Sequence, residues 1–321
     1  MSSLEALDTW RFIVETEDDG TRLDHFLRDR DFSLETDLGL SRSKIQKLID
    51  GGYVAVDGAT CRSSKKLKTG QTVVIEVPPP EPLSVEPEDI PIDVRYEDDW
   101  LVVVNKHQGL VVHPAVGHPN GTLVNALLYR HGISGGAPLR PGIVHRLDKD
   151  TTGLMVAAKR EEAHASLALQ FHEHSVDRRY RVLVSGNPPD NGVWQTLHGR
   201  MPNDRKRFSS KVARGREAIS EFSVKERFEG AAELSVILRT GRTHQVRVHC
   251  HDHGFPVLGD PMYPPRRLKP RLQAIHEALP GQALHAELLG FNHPNGSGRM
   301  RFEAEPPPAY LSALDCLKLQ G

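Results

Sequence analysis

One short stretch of the sequence concentrates side chains that can move protons, form covalent bonds or bind phosphate. It reads GIVHRLDKDTTG, from Gly142 to Gly153, and an apolar run over 154–158 follows directly. So many ionisable groups cannot be buried together without pairing, because an unpaired buried charge is strongly destabilising. We therefore expect this stretch to form a loop or to line a cleft.

Two carboxylates in this stretch, Asp148 and Asp150, are separated by a single residue. Such a pair can act as a general acid and base, hold a metal ion, or provide one nucleophile beside a structural neighbour. An ion-paired turn at the start of a strand would carry the same residue types. The residues alone leave these alternatives open.

The elements that must position the stretch alternate between helical and extended patterns without a repeating βα unit. This mixture predicts an α+β fold around a largely antiparallel mixed sheet. The predicted strands are 100–105, 180–184, 222–228 and 234–238, and the predicted helices are 123–131, ended by Gly132, and 160–174.

A proline-rich segment divides the chain. Six of the fourteen residues in 78–91 are proline, which favours an extended spacer between folded units. We expect an N-terminal extension over 1–19, a small domain over 20–77 and a larger catalytic domain over 92–321. The sequence contains neither GxGxxG nor a Walker A motif nor HExxH, so dinucleotide, P-loop and zincin functions lose their main support.

The small domain carries a helix whose apolar and basic residues lie on different faces, in the segment LSRSKIQKLIDGGYVAVDG. Asp57-Gly58 within it is typical of a hairpin turn. The segment resembles S4-type RNA-binding domains. The resemblance implies docking on structured RNA through Arg42, Lys44 and Lys47.

Charge and composition limit the cellular setting and the partners. The net charge is −1, but basic residues concentrate in 41–70 and again in 200–216, which favours local contacts with phosphates. The chain has three widely spaced cysteines and no long apolar run or secretion signal. We expect a monomer in the reducing cytoplasm, with no membrane contact.

The motif around Asp148 resembles the central motif of the RluA/RluD-type RNA pseudouridine synthases. The similarity extends through IPIDVRYEDDWLVVVNK, LVVHPAVGHPNGTLVNALL, RRYRVLVSG, LRTGRTHQVRVH, FPVLGDPMY and ALHAELLGFNHP. Within that family, the chain most resembles members that act on large-subunit ribosomal RNA. The resemblance implies a base-flipping isomerase that converts specific uridines to pseudouridine in ribosomal RNA or a pre-ribosomal particle, without a metal or organic cofactor.

The resemblance also implies residue roles. Asp148 would be the catalytic carboxylate, reacting either by covalent addition or by removing a sugar proton to give a glycal. Arg242 would be its ionic partner, and Tyr180 would stack on the uracil and assist proton removal from C5. Two further residues, Arg146 and Lys149, flank Asp148 and are candidates for phosphate contacts or for holding the loop. We expect the basic segment 200–216 to be an inserted loop that grips the RNA backbone through Arg205, Lys206 and Arg207 and wedges the Phe208 ring between bases.

Two other functions fit parts of the same sequence. A non-catalytic RNA-binding factor for ribosome assembly would keep the scaffold without the reaction. A nucleoside or glycoside hydrolase would use Asp148 and Asp150 together. Transfer RNA is the alternative substrate for the synthase.

Overall fold

The computed structural model describes residues 8–28, 42–77, 85–114, 118–137, 140–201 and 204–319; the side chains of residues 8, 42–44 and 205 lie outside this description. The chain divides into two compact units, Met1–Leu83 and Ser84–Gly321. Among the described residues, no helix is both long and apolar enough to cross a membrane.

The small unit packs two helices against a four-stranded antiparallel sheet. Its elements are β1 (Asp8–Ile13), α1 (Leu23–Arg28), α2 (Arg42–Asp50), β2 (Val54–Val56), β3 (Ala59–Thr60) and β4 (Thr72–Val77), and the strand order is β1-β4-β2-β3. Asp57 and Gly58 both adopt positive φ, at 52° and 80°, and close the predicted hairpin between β2 and β3. The core includes Leu23, Phe26 and Ile45.

The large unit is built on a ten-stranded mixed sheet, which confirms the predicted α+β class. The order is β10-β9-β11-β12-β8-β13-β7-β6-β5, with β14 also paired to β13, and among these pairs only β13 with β7 is parallel. The elements are β5 (Asp93–Glu97), β6 (Leu101–Lys106), α3 (Leu123–His131), β7 (Thr152–Ala158), α4 (Glu161–His172), β8 (Asp177–Ser185), β9 (Asn191–Met201), β10 (Asp204–Ser209), β11 (Arg216–Phe228), β12 (Ala231–Leu238), α5 (Gln245–Asp252), α6 (Pro270–Ala278), β13 (Leu284–Asn292), β14 (Arg299–Glu303) and α7 (Pro308–Lys318).

The centre of this sheet is covered on both faces. Every residue of β7 is buried, and alternate residues of β6 enter different cores: Val102 and Val104 join one cluster, whereas Leu101 and Val103 join another. This division follows from the two-residue repeat of a strand. The loops that adjoin β7 and β8 are therefore anchored to buried strands.

The structure differs from the predicted boundaries at the start of the small domain and at the end of the proline-rich segment. Strand β1 pairs with β4, so residues 8–13 belong to the sheet of the small unit and not to a separate extension. In the large unit, the Asn125 side chain donates to the Glu86 carbonyl at 2.7 Å, and Glu88 N donates to the Asn125 carbonyl at 3.0 Å. Residues 85–91 are therefore held against α3, while 78–84 lie outside the described residues.

The basic segment 200–216 also differs from its prediction as an inserted loop. Part of it forms β10, which pairs antiparallel with β9. Phe208 stacks on His198 with ring centroids 5.4 Å apart and meets His244 edge to face. These contacts use the ring within the fold, so the wedge between RNA bases that we considered for Phe208 is not supported.

Candidate active site

The large unit contains a cavity of about 580 Å³ that is large enough for a nucleotide. Its wall is formed by the loop before β7, the start of β8 and the turn that connects β12 to α5. Asp148 and Tyr180, both predicted to act on the substrate, line this cavity together with Arg146 and Arg242. Asp150 lines a separate small pocket with Gln108 and Gln282. The two carboxylates therefore do not face one another across the cavity, which removes the structural basis of the paired-carboxylate hydrolase.

The carboxylate of Asp148 is held by Arg247, not by the predicted Arg242. Arg247 Nη1 donates to Asp148 Oδ2 at 2.9 Å, and Arg247 also makes two bonds to Asp260, at 2.7 and 2.9 Å. Burial opposes the charged form of Arg247, but Asp260 and Asp148 outweigh it and raise its pKa. The guanidinium is thus permanently charged and binds Asp148 on one side and Asp260 on the other.

The route of the β12–α5 turn explains why the prediction of Arg242 was wrong. His244 adopts positive φ, 59°, immediately before α5, and the Gln245 side chain accepts from Arg242 N and from the Thr240 hydroxyl, at 2.9 and 2.8 Å. The first turn of α5 then directs Arg247 inwards. Arg242 stays at the cavity rim, where its Nε donates to the Glu217 carbonyl at 3.0 Å.

Tyr180 is buried at the cavity wall, on the central strand β8. Burial raises its pKa, with Asp148 adding to the rise and Arg178 opposing it. The phenol therefore stays neutral at physiological pH and can donate a proton or a hydrogen bond. Its ring also offers an apolar face to a base.

A buried lysine that the sequence analysis did not select supports the Asp148 loop. Lys106 is 2% exposed, and its Nζ donates to the carbonyls of Lys149, His107 and Leu110 at 2.8, 3.0 and 3.0 Å. Burial lowers the pKa of Lys106 to about 7. The signal available in the sequence was a lysine ending an otherwise apolar strand, WLVVVNK.

His244 was likewise absent from the predicted site. Its Nε2 lies 3.8 Å from Asp148 Oδ1, and its Nδ1 lies 3.1 Å from the Tyr263 hydroxyl, which accepts from Phe208 N at 2.9 Å. Burial lowers the pKa of His244. The imidazole is therefore a neutral neighbour of Asp148 near pH 7.

The predicted RNA-binding residues occupy different positions. Arg146 is exposed at the cavity rim, whereas Lys149 is exposed outside the cavity lining. In β10, Lys206 is exposed and Arg207 lies over the Tyr263 ring at 5.2 Å. Arg205 is in the same strand, and its side chain lies outside the described residues.

In the small unit, the predicted RNA-binding residues belong to α2. Lys47 is exposed on this helix. Arg42 and Lys44 are in its first turn, with their side chains outside the described residues.

A mixed sheet that holds a carboxylate, a guanidinium and a tyrosine around a nucleotide-sized cavity is a site suited to chemistry on a nucleotide. Comparison with known proteins agrees. The RNA pseudouridylate synthase family matches residues 100–252, and the S4 domain family matches 36–73, as predicted. In the part of the chain that the structure describes, no cluster of three or more His, Cys, Asp or Glu side chains is arranged to hold a metal ion.

Similar proteins cover nearly the whole chain. An uncharacterised RNA pseudouridine synthase of Aquifex aeolicus is 44% identical over 96% of both chains. The ribosomal large subunit pseudouridine synthase D of Zymomonas mobilis is 44% identical over 84% of this chain and 86% of its own. The structure of human RNA pseudouridylate synthase domain containing 4 shares the fold, with a TM-score of 0.55 and 24% identity over 70% of this chain and 93% of its own. The chain belongs to the RNA pseudouridine synthases, a family of isomerases.

Proposed function

We propose that the protein converts specific uridines of large-subunit ribosomal RNA to pseudouridine, with Asp148 as the catalytic carboxylate. The observation that carries the proposal is the ion pair of Asp148 with Arg247, 2.9 Å long, at the wall of the cavity. The pair holds the Asp148 carboxylate in a fixed orientation beside a positive charge before the substrate arrives. The ribosomal substrate is supported by relatives named ribosomal large subunit pseudouridine synthase D in three bacteria.

The reaction breaks the bond between N1 and C1′, rotates the released base and joins C5 to C1′. C5 then loses its proton and N1 gains one, so that atoms and electrons balance without an oxidant or a reductant. Asp148 acts either by adding covalently or by removing a sugar proton to give a glycal. Both routes require its ionised form.

Tyr180 completes the site on the side of the base. The uridine must leave its stack to enter the cavity, which costs a few kcal/mol, and stacking on an aromatic ring returns ~1–3 kcal/mol per base. The neutral phenol can then assist removal of the C5 proton. Retention of the uracil between bond breaking and bond formation follows from its being held against Tyr180.

We assign the remaining predicted basic residues to RNA contacts outside the reaction. Arg42, Lys44 and Lys47 of α2 would dock the small unit on structured RNA. In the large unit, Arg146, Lys149, Arg205, Lys206 and Arg207 would contact the backbone around the target. We further propose a cytoplasmic monomer that needs no cofactor.

The test compares transcripts of large-subunit ribosomal RNA and of transfer RNA that carry tritium at C5 of uridine. We expect tritium release from the ribosomal transcript, and pseudouridine but no free uracil when its nucleosides are separated by chromatography. Release from transfer RNA alone would contradict the ribosomal substrate. RNA binding without release from either transcript would favour the assembly factor.

A further inference from the structure

Strand β8 carries three arginines, of which two are paired with carboxylates and one is not. Arg179 and Arg181 point away from the cavity, and each has a carboxylate partner: Arg179 Nε lies 2.6 Å from Glu287, and Arg181 Nε lies 2.7 Å from Glu233. Arg178 alternates with them and shares the cavity face with Tyr180. Only the two arginines on the far face are therefore neutralised by the protein.

Arg178 is buried without a counter-ion. It is 8% exposed, its Nη2 donates to the Leu238 carbonyl at a long 3.3 Å, and its Nε has no hydrogen-bond partner. Its guanidinium lies over the Phe171 ring, 5.7 Å from the centroid. Within the ranges that the structure describes, no carboxylate pairs with it. A buried cation in this state is costly to folding, so its retention points to an anionic ligand.

A second cation is held next to Arg178. A Cβ added to Gly241 would lie 2.7 Å from Arg178 Nη1, so the guanidinium packs directly against the backbone of the β12–α5 turn. The next residue of that turn is Arg242, which lines the same cavity. Burial lowers the pKa of His174, and both arginines are close enough to lower it further. The φ of His174 is 58°. We call this region, defined by Arg178, Gly241 and Arg242, the open cationic corner.

The rest of the cavity does not neutralise this corner. Asp148 is the one carboxylate among the described residues of its lining, and it is already bound to Arg247. The arginines of the lining are Arg140, Arg146, Arg178, Arg216, Arg242 and Arg247. The cavity therefore has an excess of positive charge that uracil, a neutral base, cannot satisfy.

We propose that the open cationic corner binds one backbone phosphate flanking the flipped uridine, with Arg178 as the principal ligand and Arg242 as the second. This inference rests on the proposed function, because it assumes an RNA substrate in the cavity. Phosphates are the anionic groups of RNA, and a planar guanidinium can bind two of their oxygens at once. The contact would fix the register of the strand, so that the target ribose meets Asp148 and its base meets Tyr180.

The experiment removes the charge of single phosphates in the substrate. A short RNA hairpin containing the modified uridine is made with one methylphosphonate at each of the two linkages on its 5′ side and the two on its 3′ side. Affinity and single-turnover rate are measured for wild type, Arg178→Gln, Arg178→Lys and Arg242→Gln. The control is Arg301→Gln, which removes a 61% exposed arginine paired with Glu303.

We expect one neutral linkage to weaken wild-type binding by about 10-fold or more. Neutralising the same linkage should lower the RNA affinity of Arg178→Gln by less than about twofold, because its contact with that phosphate is already lost. The RNA affinity of Arg178→Lys and of Arg301→Gln should still fall. Equal responses of wild type and Arg178→Gln at all four linkages would overturn the proposal. If Arg178→Gln does not fold, Arg242→Gln provides the comparison: neutralising that linkage should lower its RNA affinity less than that of wild type, and equal responses of wild type and Arg242→Gln at all four linkages overturn the proposal too.

Failure of this subsite can be separated from failure of the proposed function. If transfer RNA proves to be the substrate, the ribosomal proposal fails, and the same scan is run on the stem-loop that is modified. If RNA binds without reaction, the affinity measurement alone decides. Tritium release from ribosomal RNA without coupling between Arg178 and any linkage would remove the subsite and leave the proposed function standing.

Discussion

Arg247 and Arg178 line the same cavity and are buried to a similar degree, but only Arg247 is neutralised by the protein. Arg247 binds Asp148 and the fully buried Asp260, whereas Arg178 has a weak bond to a carbonyl and a stacking contact with Phe171. The difference separates two tasks. The corner formed by Arg247, Asp148 and Asp260, which we call the balanced corner, must be correctly arranged before RNA arrives. The open cationic corner is completed by the RNA itself.

The largest expected effect comes from removing the cation of the balanced corner. Arg247→Met would leave Asp260 buried and unpaired and Asp148 without its partner, so we expect a loss of ~3–5 kcal/mol in the free energy of unfolding, measured by denaturant titration. Arg242→Gln is the matched control, since the Arg242 side chain bonds only a carbonyl among the described residues. Equal stability of the two variants would remove the distinction between the corners.

Between the two corners lies Tyr180, whose hydroxyl and ring have separate roles in our account. Tyr180→Phe keeps the stacking face, so it should lower the single-turnover rate by ~10²–10⁴-fold while leaving RNA affinity nearly unchanged. Tyr180→Leu should lower both, because a base gains ~1–3 kcal/mol by stacking on the ring. A wild-type rate in Tyr180→Phe would mean that Tyr180 acts by stacking alone and that its hydroxyl has no role in the reaction.

The lysines of α2 form a third class of cation. Lys44→Glu combined with Lys47→Glu should weaken binding to long ribosomal RNA and reduce the slope of log affinity against log salt by about 1.4–1.8, as expected for two phosphate contacts. Activity on a short minimal hairpin should be retained. A short hairpin that loses activity to the same extent would show that α2 contributes to more than docking.

The smallest effect concerns the packing of Arg178 against Gly241 in the open cationic corner. Gly241→Ala places a methyl group 2.7 Å from Arg178 Nη1, so the guanidinium must move away from the β12–α5 turn. Because the affected atom ends a flexible side chain, we expect an affinity loss of only a few-fold and little change in stability. Titration of RNA together with thermal unfolding checks this; a large loss of stability would mean that the corner is primarily structural.

The sequence was most informative where local pattern determines structure. The helix over 123–131 and its end at Gly132, with φ 55°, match the prediction, as does the strand that begins at Tyr180 in the prediction and spans Asp177–Ser185 in the structure. These elements follow from apolar periodicity and turn residues.

Arg247 was missed because its direction depends on tertiary contacts. The Gln245 side chain closes the preceding turn by bonds to Ile219 and Ser220 on a neighbouring strand, at 3.0 and 2.9 Å, which local pattern does not contain. The one available signal was Asp260 in GDPMY: it lies in an apolar context, and once buried it requires a cation. For the same reason the sequence could not show which of the many arginines would lack a carboxylate.

One substitution tests whether the carboxylate of Asp148 carries the reaction. Asp148→Asn keeps the size of the side chain and a bond to Arg247, and it is compared with Asp150→Asn, which changes the carboxylate of the separate pocket. Single-turnover tritium release from the ribosomal transcript should fall by ~10⁴-fold or more in Asp148→Asn, with RNA affinity preserved, and remain near the wild-type rate in Asp150→Asn. A wild-type rate in Asp148→Asn would show that the Asp148 carboxylate does not carry the reaction.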